Sequence, residues 1–510
     1  MKSRTNSFEL NGKVEDKHVE EKENDFKVSG WGYRHQQCLI LFFSLTIAYS
    51  TRACIGVAVV AMTDFDDVTD PIFNHTENNK TFEANNAENG FLDGLMWKPP
   101  YPKFKWEKKI QDTVSASFFW GYMILQIPGS QLVHRFGSRY LIFGAQLINC
   151  VVSICLPWAT YYGGWIFTVI CRIVLGMAQA CIVPGMHTFF GKWAPLEERG
   201  RLTALSYGGQ ALGSVLGIPI TGFIAASPLG WPGIFRFYGA LSGVMAVVLW
   251  FMVADSPAHH PKITQAEKTH IEMGLGQKEQ EGKHLPVPWV KILTYRPTYA
   301  IIVAHIAQSW GQVTLFTEVP AFMDKIMGVN IKTNGLLCAL PFLVMFFTNF
   351  FFSWFTDMLI VRKVGVTNVR KLATTLGYLP ACIGLVVLAF VPKTIVTVEC
   401  ILIVVCAFKI SAHVGFMVNH IDTAPNFAGT LMSLSNFTSN LFGSLSPIVA
   451  GVILTDVKSE RLWGYVFLVA AGVYFVSNLA YVLFANADRA EWNDPPESSN
   501  DERKAMMDKA

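Results

Sequence analysis

Apolar residues in this chain gather into successive blocks of about 20, the length of helix needed to cross a hydrocarbon core of roughly 30 Å. Hydropathy places them near 36–61, 112–133, 138–159, 165–190, 201–223 and 231–254, and then near 297–322, 332–358, 368–391, 397–421, 427–455 and 461–485. Such a chain is an all-α integral membrane protein with twelve spans in two sets of six. Soluble domains of this length need more surface charge than the 15% found here beside 51% hydrophobic residues.

This pattern predicts a polar N-terminal tail over 1–35, a six-helix bundle over 36–254, a linker over 255–290, a second six-helix bundle over 291–485 and a polar tail over 486–510. Basic residues in the short loops His134–Arg139, Gly191–Arg201 and Val361–Lys371 put those loops, both tails and the linker in the cytoplasm. The loop 64–110 is then extracellular, and it carries acceptor sequons at Asn74 and Asn79, the expected glycosylation sites. A third sequon, at Asn436, lies at the membrane edge and is read as chance. The linker contains a short helical pattern around Thr264–Glu272, with Thr264 and Glu267 spaced as a capping box. The first 30 residues show no cleaved targeting segment.

The ten cysteines lie in or beside apolar spans without a CxxC pair and read as small hydrophobes. His259, His260, His270 and His284 are irregularly spaced, so no metal site is expected. No GK[ST] phosphate loop is present, which removes ATP hydrolysis as an energy source within the chain. No cofactor and no catalytic residue are expected, and the chain is not an enzyme. The net charge of +3 carries no information about nucleic acid, and no such partner is expected.

Ionisable groups inside membrane helices are expensive and point to solute or ion handling. Arg52 lies well inside the first span, where its guanidinium offers a rigid fork for carboxylate or phosphate. Arg172 is near the outer end of the fourth span, within snorkelling reach of the headgroups. His187 is fifteen residues on, about 22 Å by helical rise, and fits a cytoplasmic gate. Asn419, His420 and Asp422 close the tenth span, with roles in gating or coupling. Gln308, with His305 and Gln312 at helical spacing, could line a polar path in span seven, while Tyr122, Trp310 and Phe316 could form a collar around a solute. Gly209, Gly213 and Gly217, at steps of four, permit close helix crossing.

The segments Tyr49–Met62, Phe118–Arg139, His187–Leu202, Ser206–Gly222 and Val418–Asn436 together resemble the anion-transporting branch of the major facilitator superfamily. That branch contains sialin, the vesicular glutamate transporters and the type I sodium/phosphate cotransporters, and the likeness runs from about Gln36 to Phe484. It implies a twelve-helix facilitator fold with a central cavity, and it matches Arg52 and Arg172 to the family's arginines in spans one and four. His187 matches its fourth-helix histidine, and His420 and Asp422 its tenth-span pair. Leu175 and Gln179 stand where sialin-like proton symporters carry acidic residues, Gln308 stands where the glutamate carriers have arginine, and Cys54 replaces the usual asparagine of the first-span motif.

The expectation is therefore a secondary transporter of inorganic phosphate or organic anions. Arg52, Arg172, Tyr122 and Gln308 would bind substrate, sodium or membrane potential would drive transport, and Na+ is the candidate coupling ion. The alternatives are a proton-coupled sialin-like or glutamate-type carrier and a non-transporting receptor or scaffold. Its partners would be a small anionic solute and membrane lipid, a monomer is expected to suffice, and the plasma membrane is preferred to lysosomal or vesicular membrane.

Overall fold

The computed structural model describes residues 30–63, 101–106, 108–275, 286–329 and 331–493. Asn74, Asn79 and His284 lie outside the described residues, as do most of both tails. Helical segments stand at each of the twelve expected places. In the first half they are α1 (Tyr33–Met62), α2 (Lys108–Phe136), α3 (Ser138–Gln179), α4 (Ile182–Trp193), α5 (Arg199–Ala226) and α6 (Gly230–Met252). The stretch α3 is two helices that meet at Gly164, whose positive φ and non-helical ψ break the run between the third span and the start of the fourth. The fourth span then breaks at Ala180 and Cys181, so Arg172 and His187 belong to different helices rather than to one.

The linker contributes α7 (Gln265–Leu275) and α8 (Trp289–Thr294). Helix α7 starts where the capping pattern predicts it, with the Glu267 amide donating to Thr264 Oγ1 at 3.3 Å. In the second half come α9 (Arg296–Val313), α10 (Val319–Lys325), α11 (Ile331–Val361), α12 (Val366–Phe390), α13 (Ile395–Lys409), α14 (Val418–Thr423), α15 (Ala428–Gly443), α16 (Leu445–Ile453) and α17 (Glu460–Phe484). Spans seven and ten are each interrupted by a π-helical turn, at Thr314–Glu318 and His413–Met417. Among the described residues eight helical stretches are long and apolar enough to cross a membrane, and one of them, Ser138–Trp193, holds both the third and the fourth span. Those at spans two, seven and eleven are more polar, and they supply many of the side chains described below.

Glycines set how closely the helices approach. A Cβ at Gly209 or Gly213 would strike the carbonyl of Phe42 or Thr46, and one at Gly217 would lie 3.0 Å from the Ser50 Cα. The step-of-four glycines of α5 thus seat directly on the backbone of α1. The short basic loops all gather at one end of the bundle, the basic end. There Gly137, with φ of 90°, opens the turn between α2 and α3, and Asp255 accepts from the Ser138 amide at 2.6 Å and hydroxyl at 2.8 Å. Lys192 donates to the other oxygen of Asp255 at 2.6 Å. Burial alone would raise this carboxyl, but Lys192 and the Ser138 bonds hold it below the usual carboxylate range.

Candidate functional site

The backbones of α2 and α3 touch at two glycines, for a Cβ at Gly121 would meet the Ile173 carbonyl and one at Gly176 the Phe118 carbonyl. This contact brings the Phe118 ring against Arg172, whose guanidinium lies 5.0 Å from the ring centre. Arg52 approaches the same ring from α1, at 4.9 Å, and lies 4.8 Å from the centres of both Phe119 and Tyr122 and 5.5 Å from that of Tyr49. Two cations thus share one aromatic ring, held by its negative face. Arg172 is only 2% exposed and does not snorkel, and among the described residues its Nε has no acceptor. Neither arginine is paired with a carboxylate among the described residues, so an anion at this place would meet unmatched positive charge.

One layer toward the basic end, three histidines from three helices converge. The His187 ring centre is 5.3 Å from that of His420 and 5.8 Å from that of Tyr207, and His305 is 6.3 Å from His420. His420 Nδ1 is 2.8 Å from the Met417 carbonyl and its Nε2 is 2.7 Å from the Ser435 hydroxyl, which also meets His305 Nδ1 at 3.0 Å. A carbonyl can only accept, so a neutral His420 donates from Nδ1. Its Nε2 then accepts from Ser435, and Ser435 accepts from His305. His187 is fully buried, and neither of its ring nitrogens has a partner among the described residues.

The remaining predicted residues have separate partners. Tyr122 Oη accepts from Asn436 Nδ2 at 2.9 Å, joining α2 of the first half to α15 of the second. Gln308 Nε2 stands 2.7 Å from His413 Nε2. Asn419 donates to Tyr481 Oη at 2.9 Å, within the second half, and shares no partner with Asp422. Asp422 is bonded by Arg199 Nη1 and by Arg370 Nε, each at 2.6 Å, which ties α5 across the halves to α14 and α12.

That ion triad belongs to a closed seam at the basic end. Asp357 accepts from the Gly200 and Arg201 amides at 3.0 and 2.8 Å, and Ser433 donates to Ser130 at 2.8 Å. A Cβ at Gly191 would strike the Pro425 carbonyl, and one at Gly429 would strike Thr188 Oγ1. Outside the seam, Arg34 clamps α1 to Glu198 at 2.6 Å and to Glu267 of the linker helix at 3.1 Å. Among the described residues no cluster of three His, Cys, Asp or Glu stands ready to hold a metal ion.

The model of the Major Facilitator Superfamily matches residues 41–447. The chain belongs to this superfamily. Facilitators are carriers rather than enzymes, and this one is a multi-pass membrane protein related to phosphate and glutamate transporters. The chain is 33% identical over 475 residues to a Drosophila ananassae protein named "Putative inorganic phosphate cotransporter", covering 92% of this chain and 95% of that one. Vesicular glutamate transporter 2 of Homo sapiens is 34% identical over 406 residues, 78% of this chain and 69% of the relative. Among solved structures the facilitator fold is matched by the proton:xylose symporter XylE bound to 6-bromo-6-deoxy-D-glucose. The TM-score is 0.65 at 16% identity, covering 89% of this chain and 96% of that one.

Sequence reasoning passed over the residues that bind the predicted ones. Arg199 and Arg370 sit among basic loops and read there as orientation signals, although the seam uses them as specific partners, and Asp357 near the end of α11 carries no spacing signal for the Gly200 and Arg201 amides that it accepts from. Lys409 was overlooked in an apolar span, and it is fully buried with its Nζ 2.6 Å from Gln312 Oε1. A lone lysine in an 18-residue apolar window was the available signal.

Proposed function

We propose that this facilitator carries small anions, inorganic phosphate or organic acids, by alternating access, with Arg52 and Arg172 as the attracting pair. The observation that carries the reading is the Phe118 ring shared by two guanidiniums that lack a carboxylate partner among the described residues. An anion between them gains charge-assisted hydrogen bonds in a poorly hydrated setting. Tyr122 sits beside Arg52 and joins the two halves through Asn436, so anion contact is linked to the interface that must move. The seam at the basic end, with Asp422 at its centre, acts as the gate on that side, and His187 and His420 lie just above it.

Sodium or the membrane potential is the proposed driving force, because Leu175 and Gln179 stand at the two positions of span four where sialin-like proton symporters carry acidic residues. Plasma membrane is the proposed site of action, and the likeness to vesicular carriers makes the organelle the competing address. Purified protein in liposomes, offered labelled phosphate, glutamate, sialic acid and urate under imposed sodium, proton and electrical gradients, tests the reading. Saturable uptake lost in Arg52→Ala, with protein in the membrane unchanged, is the expected result. No flux with any anion rejects the carrier reading and leaves a receptor or scaffold.

A further inference from the structure

The second half carries two stacked polar rungs between spans seven and ten. Lys409 donates to Gln312 at 2.6 Å, and Gln308 meets His413 at 2.7 Å. Gln308 and Gln312 are four apart on α9, and Lys409 and His413 are four apart across the turn from α13 into the π segment, so the two bonds stack along one strip. That strip faces the first half, since the His413 ring lies 6.4 Å from the Tyr207 ring of α5.

Lys409 differs from the other buried cations of this half. At the basic end Arg370 is matched by Asp422, as Arg199 is from across the seam. Lys409 is fully buried, and among the described residues no carboxylate lies within ion-pair distance of it; Gln312 offers only a neutral amide oxygen. An ammonium left in such a place is strongly disfavoured until an anion matches it. Its depth is also informative. Tyr122, which carries the Arg52 guanidinium on its ring, stands 14 residues from Phe136, and Lys409 stands 14 residues from Thr423. Both are therefore about 21 Å from the basic ends of their spans. The unmatched charges, one set in each half, thus lie at a similar level.

Resting on the anion-carrier reading above, we propose that Lys409 is a second anion-binding point, so that the preferred solute is an organic dianion with one acidic group at Arg52 and Arg172 and the other at Lys409. Gln312 holds the ammonium in place and His413 borders the same strip. A dianion bound in this way bridges the two halves, and a monoanion of equal carbon number leaves Lys409 unmatched.

Equilibrium binding of labelled succinate, glutarate and adipate to the purified full-length chain, each compared with the monocarboxylate of the same carbon number, tests this. The wild type is expected to bind at least one of the dicarboxylates tenfold or more tightly than its monocarboxylate, the scale of one hydrogen bond to a charged group. In Lys409→Met that gap closes to within about twofold of unity, while Lys409→Arg, which keeps a positive charge at the same place, retains it. The gap is a ratio within one preparation, so a smaller folded fraction does not alter it. An unchanged gap in Lys409→Met, no gap in the wild type, or equal loss in both variants overturns the proposal while leaving the carrier reading intact. Failure of the wild type to bind any of these anions overturns the proposal; if labelled inorganic phosphate also fails to bind, or if binding is indifferent to Arg52→Ala, the carrier reading falls with it.

Discussion

Replacing Arg199 by glutamine isolates the charge that crosses the seam. Arg199 reaches from α5 to Asp422 at 2.6 Å, while Arg370 holds the other carboxylate oxygen from within the second half. After Arg199→Gln the carboxylate keeps a cationic partner, so no buried charge is orphaned. What is lost is one charge-assisted bond that exists only when the basic end is closed, worth about 1.5–3 kcal/mol. Since 1.4 kcal/mol is tenfold in an equilibrium, the open population at the basic end should rise about 10- to 100-fold. A cysteine at Ser433, fully buried against Ser130 at this seam, reports the change. In a cysteine-depleted background, its labelling by a membrane-impermeant maleimide from the basic side should accelerate by that factor. Asp422→Asn provides the contrast, because it strands two buried guanidiniums. That change should cost about 3–5 kcal/mol of fold stability and lower the Tm, which Arg199→Gln should barely move. Equal labelling rates in Arg199→Gln and the parent, at equal expression, would refute the gate argument.

Other outcomes follow from local geometry. Phe118→Leu removes the ring under both arginines and should weaken anion affinity several-fold, at about 0.5–2 kcal/mol per lost cation–π contact, without loss of folded protein. Gly213→Leu should collapse the monodisperse peak in detergent, because its Cβ meets the Thr46 carbonyl, whereas Gly222→Ala has open space and should be neutral or stabilising by up to about 1 kcal/mol. Asp255 has a depressed carboxyl pKa in the folded protein, so its contribution is present above the unfolded value near 4 and is lost as pH falls through the folded one. Asp255→Asn should accordingly lower the Tm at neutral pH and flatten its decline below about pH 4, read by a thermal melt across pH.

The fold was legible because lipid admits few solutions to a chain of apolar blocks, and charge in the short loops orders their ends. Arg52 stood out in the sequence as a cation deep inside a span, and Arg172 as one nearer a span end. Their meeting on Phe118 could not be read, because it depends on the backbone contacts of Gly121 with Ile173 and of Gly176 with Phe118, residues far apart in sequence. Asn419 and Asp422 stand three residues apart, a spacing that shares one helix face, yet their partners come from α17, α12 and α5, which spacing within one helix does not specify. Boundaries shifted where polar side chains are buried, as at α1, which begins at Tyr33 because Arg34 is neutralised by Glu198 and Glu267.

The π turns at Thr314–Glu318 and His413–Met417 divide spans seven and ten close to Lys409 and His413. Each π turn widens the hydrogen-bonded ring by one residue, which weakens the regular i to i−4 ladder locally. Span one, which carries Arg52, is continuous from Tyr33 to Met62. The two faces of the candidate site therefore differ in stiffness, with a firm wall bearing Arg52 and a compliant one bearing Lys409. Amide exchange should be faster at the two π turns than at the same depth of span one, and a ligand that bridges both walls would be felt chiefly as a stiffening of the softer one.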